Sequence, residues 1–215
     1  MHLVVFMTYS TSLGDWKEAG ILERELAVYL THIAANWKVT LVSYGGSGDA
    51  DLVSHYPQIK ILVNHWGAYN WLYSLLLPLL YRKELKTAAV FKTNQMFGAH
   101  VAYWCSFFVN VQLVVRQGYD FVEHLKRDKQ YTFLSLWFSK VYEKILLNRA
   151  NIAIFTTQYL LNSASIRNLG IEKKSFVIPN YLQQELWSPP YSKVQIESPG
   201  KIGYCGRFTE QKNLE

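Results

Sequence analysis

Cysteine is scarce in this chain, with only Cys105 and Cys205 among 215 residues. There is no CxxC pair and no cysteine–histidine cluster, which excludes a zinc module or dithiol site; buried reduced thiols in a cytosolic protein are expected. The six histidines (positions 2, 32, 55, 65, 100 and 124) show no ligand spacing, so no metal is expected. No basic run, zinc finger, RRM or helix-turn-helix signature is present, and nucleic acid is not an expected partner. The first strand is not followed by GxGxxG, which removes a dinucleotide fingerprint, and no nucleophile elbow supports Ser–His–Asp hydrolysis. No apolar run reaches the roughly 20 residues of a spanning helix. The most apolar stretch, 66–81, contains Pro78. The opening MHLVVFMTYS lacks the basic start and long apolar run of a signal peptide and reads as a strand.

Hydrophobic residues make up 50% of the sequence and charged residues 18%, enough for a packed core. Lys and Arg outnumber Asp and Glu by 22 to 16, a +6 balance that suits an anionic membrane surface or a phosphorylated substrate. Short apolar runs at 3–7, 39–43, 59–63, 88–91, 112–115, 152–155 and 176–178 alternate with helical patterns. The runs are nearly continuous rather than alternating, as in strands of a parallel sheet covered on both faces. Helices are expected over 21–35, 98–108, 131–148 and 158–168. The first carries Leu22, Leu26, Leu30 and Ile33 on one stripe, and the third carries Leu134, Phe138, Val141 and Ile145 at helical spacing. Thr157 is the expected N-cap of the fourth, with Gly170 just past its end. The expected fold is α/β: a Rossmann-like parallel sheet with helices on both faces.

Chemistry is sought at the carboxyl ends of the strands, where open α/β sheets bind ligands. The first βα connection, 9–20, is polar and contains Gly14 and Gly20. It is either an ordinary surface loop or, if the amides opening the next helix are free, a holder of an anion or a hydroxyl. Lys92, Asn94 and Gln95 follow the fourth strand, and Arg116, Gln117 and Tyr119 follow the fifth. The cations suit a phosphate or carboxylate and the amides suit sugar hydroxyls; the plainer alternative is polar side chains capping the sheet. His100, among aromatics, reads as a core or rim histidine. Residues 66–81, ending near Arg82, Lys83 and Lys86, form either a helix packed on its own sheet or an interfacial helix on lipid.

The last forty residues read as a seam. Residues 176–180, FVIPN, lead into a linker with Pro189, Pro190 and Pro199, and a second apolar run at 201–205 opens into Gly206, Arg207 and Lys212. Five strings, SLGDWKEAGILERE, KTNQMFGA, VRQGYDF, IPN with its later WSP, and GRFTEQK, resemble in that order segments of glycosyltransferase family 4. These are retaining nucleotide-sugar transferases of GT-B architecture. Tyr181 and Gln183 depart from the family's usual linker, and Ala19 stands where many relatives have glycine.

The resemblance implies an acceptor-binding domain over 1–182, an interdomain linker over 183–200, and the first strand and helix start of a truncated nucleotide-sugar domain over 201–215. It implies that Gly14, Gly20, Lys92, Asn94, Gln95, Arg116 and Tyr119 face the cleft or acceptor, and that Arg207 and Lys212 contact the donor pyrophosphate. Many relatives place a histidine after the fifth strand; Arg116 and Gln117 stand there instead. The implied activity is transfer, without a metal, of sugar from a UDP- or GDP-sugar to a glycan or lipid-linked acceptor in surface polysaccharide or glycolipid assembly. The implied setting is cytoplasmic, at the inner membrane face, with peripheral association to anionic lipid. Catalytic residues are expected in the missing half, so the chain alone is expected to be inactive. Two alternatives stand beside this: a non-catalytic acceptor- or partner-binding remnant, and an enzyme of the UDP-N-acetylglucosamine 2-epimerase kind.

Overall fold

The structure, a computed structural model, describes residues 1–127, 132–168 and 170–180. The expected linker and the strand carrying Arg207 and Lys212 lie outside the described residues. Seven parallel strands form one sheet in the order β3-β2-β1-β4-β5-β6-β7. They are β1 (His2–Phe6), β2 (Lys38–Val42), β3 (Ile59–Leu62), β4 (Val90–Thr93), β5 (Gln112–Gln117), β6 (Ile152–Phe155) and β7 (Ser175–Val177). β1 pairs with both β2 and β4. The order therefore reverses at β1 and β4, the position beyond whose carboxyl ends open α/β sheets ordinarily bind ligands. All seven expected strands are present, with ends shifted by a residue or two.

Every residue of β1 is buried. Leu3 and Val5 pack with one core layer, and Val4 and Phe6 with the other. Coverage of both faces explains why the apolar runs do not alternate. The first layer is closed by α1 (Leu13–Glu18) and α2 (Leu22–Ala34), through Trp16, Leu22, Leu26 and Tyr29. The second is closed by α4 (Asn70–Leu80), α6 (Ala99–Ser106), α8 (Phe133–Arg149) and α9 (Gln158–Arg167). The connecting α3 (Ser47–Leu52), α5 (Arg82–Leu85) and α7 (Phe121–Arg127) are too short to carry a legible periodicity. Thr157 caps α9, its hydroxyl accepting from Leu160 N at 3.2 Å, and Gly170 is left-handed at φ +81°.

α8 does not face the way its stripe suggests. An amphipathic surface helix ordinarily buries its apolar stripe. Here Leu134, Phe138 and Ile145 of that stripe, with Trp137 beside them, are 47% to 60% exposed and Val141 is half-buried, while Ser139, Glu143, Leu146 and Leu147 are buried. The reason is an ion-pair cluster. Arg167 donates from Nε to Glu143 Oε1 at 2.8 Å and from Nη2 to Glu143 Oε2 at 2.9 Å, and it also reaches Asp120 at 3.1 Å. Glu143, with no exposed surface, additionally accepts from Gln117 Nε2 at 3.2 Å and Asn168 Nδ2 at 3.0 Å. Burial opposes ionisation of Asp120, but Ser163, the Glu123 amide and Arg167 together hold its carboxyl below the usual aspartate range.

Arg167→Ala leaves two buried carboxylates without their cation and is expected to lower unfolding free energy by about 3–5 kcal/mol. Lys126→Ala removes only an exposed partner of Glu123 and is expected to change it by less than about 0.5 kcal/mol. Urea denaturation of both variants checks the contrast. Because the Asp120 pKa is depressed in the folded state, its contribution is present above the ordinary aspartate range and lost as pH falls through the lowered value.

Candidate functional site

The carboxyl ends of β1, β2, β4 and β5 meet three loops whose backbones are pinned by polar side chains, of which Asp49 is buried and Gln95 and Arg116 half-buried. Ser12 caps α1, its hydroxyl accepting from Asp15 N at 3.0 Å. The buried Asp49 carboxylate accepts from Leu13 N at 2.8 Å and Gly14 N at 3.1 Å, and also from the Ser43 hydroxyl. No side chain caps the opening of α2, the helix that follows this loop, whereas the amides opening α1 inside it are not free for a ligand. A carboxylate of the protein itself occupies them. Asp49 in turn explains Gly45, where a Cβ would lie 2.3 Å from the carboxylate. Gly14 lines an open cleft of about 650 Å³ beside Ser12, Lys17, Gly45 and Gly46. Gly20 is not among the residues lining that cleft; it makes a left-handed turn between α1 and α2 at φ +66°.

Asn94, Gln95 and Arg116 come together between β4 and β5. Arg116 donates from Nη1 to the Asn94 carbonyl at 2.9 Å and from Nη2 to Asn180 Oδ1 at 2.6 Å. It thus fastens the IPN segment to the sheet edge. Gln95 Oε1 accepts from Gly118 N at 3.0 Å, and a Cβ on Gly118 would lie 2.7 Å from that oxygen. Gln95 and Arg116 thus have the sheet-capping contacts of the plainer alternative. Among the described residues, the side-chain amide of buried Asn94 makes no hydrogen bond. Tyr119, half-buried, sets its ring edge-on to His124 at 5.4 Å, and burial raises its hydroxyl pKa.

Lys92 stands apart from this trio, on the α2 face of β4. Its Nζ lies 5.6 Å from the Tyr29 ring centroid. Desolvation and the nearby Arg116 lower its pKa to about 8, against a weaker pull from Glu25. It is the described cation at this edge whose contact is an aromatic face rather than an oxygen.

Sequence reasoning missed an aromatic group at the same edge, formed by Tyr9, Phe97, His100, Phe121 and Tyr142. Tyr9 meets Phe97 at 5.4 Å and His100 at 5.3 Å, and Phe97 stacks with Phe121 at 6.4 Å. The Tyr142 hydroxyl lies within hydrogen-bond distance of the Met96 carbonyl at 3.0 Å and of His100 Nδ1 at 2.9 Å. Burial lowers the His100 pKa, and the ring is neutral at pH 7. The group depends on Gly98, whose φ of +122° and whose missing Cβ, 2.8 Å from the Met7 carbonyl, no other residue tolerates. The legible signal was the FGAH string directly after KTNQ. Beside it Ser10 holds φ +67°, with its hydroxyl accepting from Asn70 Nδ2 at 2.6 Å. A half-exposed aromatic ring beside neutral amides and hydroxyls can take up the apolar face and hydroxyl rim of a sugar. Among the described residues, no three His, Cys, Asp or Glu converge as metal ligands.

No protein-family model and no curated protein sequence matches the chain. Solved structures do match. HepE from Anabaena in complex with UDP and glucose aligns at a TM-score of 0.54 and 16% identity, over 86% of this chain and 46% of HepE. HepE with UDP aligns at 0.53 and 18%, and HepE with UDP-glucose at 0.50 and 16%. At such identities the likeness is one of fold. This chain spans about half the length of HepE.

Two stability measurements test the edge. Asp49→Ala removes the acceptor of two helix-opening amides and is expected to lower unfolding free energy by about 1–3 kcal/mol in urea, with Asp49→Asn recovering part of the loss. Lys92→Met is expected to raise the melting temperature at pH 7. A lysine whose folded pKa is depressed opposes folding at and below that value, and the penalty fades as pH rises from about 8 toward the unfolded value. The gain should therefore shrink with rising pH.

Proposed function

We propose that the chain is the acceptor-binding half of a nucleotide-sugar-dependent glycosyltransferase of family 4. One observation carries the reading: a parallel-sheet domain with an aromatic-lined carboxyl edge whose fold aligns with about half of a protein solved with UDP-glucose. The second half supplies the UDP- or GDP-sugar site, and the two domains enclose the reaction between them. Arg207 and Lys212 hold the donor pyrophosphate, where negative charge grows as the glycosidic bond breaks, so two cations stabilise the leaving nucleoside diphosphate without a metal. Transfer proceeds with retention onto a glycan or lipid-linked acceptor. The acceptor lies at the β1, β4 and β5 loops, near Gly14, Asn94, Phe97 and Tyr119, with Gly20 turning the backbone that frames the cleft. Lys92 and Arg116 set the positive potential of that edge. The setting is the inner face of the cytoplasmic membrane, with the protein held peripherally, in surface polysaccharide or glycolipid assembly.

The half described here is expected to show no turnover alone, since the chemistry takes place between two domains. In the full-length protein, Arg207→Ala and Lys212→Ala are each expected to weaken UDP or GDP binding by about 1.5–3 kcal/mol, the range of a charge-assisted hydrogen bond. Calorimetry decides the point. Parent-like affinity in both variants removes the pyrophosphate role, and labelled product from the 215-residue chain removes the two-domain reading.

A further inference from the structure

Three helices on one face of the sheet lie side by side, with α6 packed against both α4 and α8. Trp104 Nε1 donates to the Leu75 carbonyl at 3.1 Å, and the Arg149 guanidinium stands 5.9 Å from the Tyr103 ring centroid, so contacts run across the row. The inward sides of these helices fill the core, yet their outward sides are apolar as well. α4 turns out Trp71, Leu75 and Leu79, four residues apart and 49% to 63% exposed. The end of α6 and the residues after it add Trp104, Phe107 and Phe108, all exposed. α8 adds the stripe of Leu134, Trp137, Phe138 and Ile145 that Glu143 forces outward. Soluble monomers seldom leave so much contiguous apolar surface in water, and such patches mark protein or membrane contacts.

The charges around the face choose between those two. α4 and α6 contain no acidic residue, and the single acid of α8, Glu143, is fully buried against Arg167. Every exposed charge on α8 is cationic, namely Lys140, Lys144 and Arg149, and Arg82 and Lys83 are exposed where α5 continues from α4. Lysine is depleted in protein–protein interfaces, whereas Trp, Phe and Leu flanked by Lys and Arg are the composition of surfaces that rest on anionic lipid. No helix among the described residues is long and apolar enough to cross a membrane, so any such contact is interfacial.

We propose that the α4–α6–α8 face seats on an anionic bilayer surface, with Trp71, Trp137 and Phe138 at the headgroup–acyl boundary and Lys140, Lys144 and Arg82 among the headgroups. This rests on the membrane-peripheral part of the function proposed above, and it extends the contact from one helix to three. It does not depend on sugar transfer. A chain that binds vesicles through this face, from a full-length protein that binds no nucleotide sugar, keeps the one and loses the other.

Flotation of the chain with phosphatidylcholine vesicles, with and without phosphatidylglycerol, is the test. Binding is expected only to the anionic vesicles and is expected to weaken as salt rises. Trp137→Ser/Phe138→Ser, which removes two exposed side chains and should leave circular dichroism and melting unchanged, is expected to lower partitioning at least about tenfold. Lys140→Glu and Lys144→Glu should each lower it about fivefold or more. Ile166→Ser, an 83% exposed apolar position on α9 outside the face, should leave it unchanged. Absence of parent binding overturns the proposal, as does parent-like binding by the Trp137/Phe138 variant. Sedimentation that finds a dimer dissociated by that variant, with no vesicle binding, assigns the face to a second copy and equally overturns it.

Discussion

The guanidinium of Arg167 decides which way α8 faces. Apolar area does not make that choice, because the helix carries Leu146 and Leu147 on one side and Leu134, Trp137, Phe138 and Ile145 on the other. Either side could bury several side chains, each worth roughly 1.5–3 kcal/mol. Turning the helix over would carry Glu143 to solvent and leave Arg167 and Asp120 half-paired beside the Gln117 and Asn168 amides. Loss of Glu143 from Arg167 and of the acceptor shared by the Gln117 and Asn168 amides opposes that turn, and it tips a contest between nearly equal apolar faces. The same cluster joins α8, α9 and the β5–α7 turn, so it also fixes the loop bearing Gly118 and Tyr119.

A second buried acid plays the corresponding part at the opposite end of the site. Asp49 holds the opening of α1 against β2, and Gly45 exists to make room for it. Arg116 and Gln95 fasten the β4 and β5 loops to each other and to Asn180. Most polar side chains at this edge therefore shape backbone rather than wait for a ligand. Asn94, the exposed side of Phe97 and the weakly compensated Lys92 remain open. A rigid frame with a few open groups is what positioning a substrate requires, because freedom in the supporting residues would be lost again on binding.

The sheet was legible because parallel strands buried on both faces appear in sequence as plain apolar runs, and all seven runs proved to be strands. The stripe of α2 was legible too, although its best-buried aromatic, Tyr29, falls outside the leucine spacing. α8 misled because periodicity records only apolar positions. What reversed it is a pairing of Glu143 with Arg167, across 24 residues, that no local pattern contains. The candidate site was legible as a place and less so as a set of roles. The loops after β4 and β5 do meet, but whether Arg116 faces a phosphate or a neighbouring carbonyl depends on tertiary geometry. The aromatic group was hidden for the same reason, since its members come from the β1–α1 and β4–α6 loops, α6, α7 and α8 and meet only once the sheet is formed.

α6 connects the aromatic group at the sheet edge with the outer apolar face. Its first turn carries His100 into the aromatic group at the sheet edge, and its last turn carries Trp104 to the outer apolar face. A helix of eight residues is about 12 Å long. If the outer face seats on lipid, the edge then lies within roughly that distance of the headgroup layer, close enough for a sugar whose lipid anchor never leaves the bilayer. A soluble glycan would gain nothing from an apolar flank placed there. Under the proposed transferase reading, a lipid-linked acceptor is the class that gives both surfaces of this short helix a use.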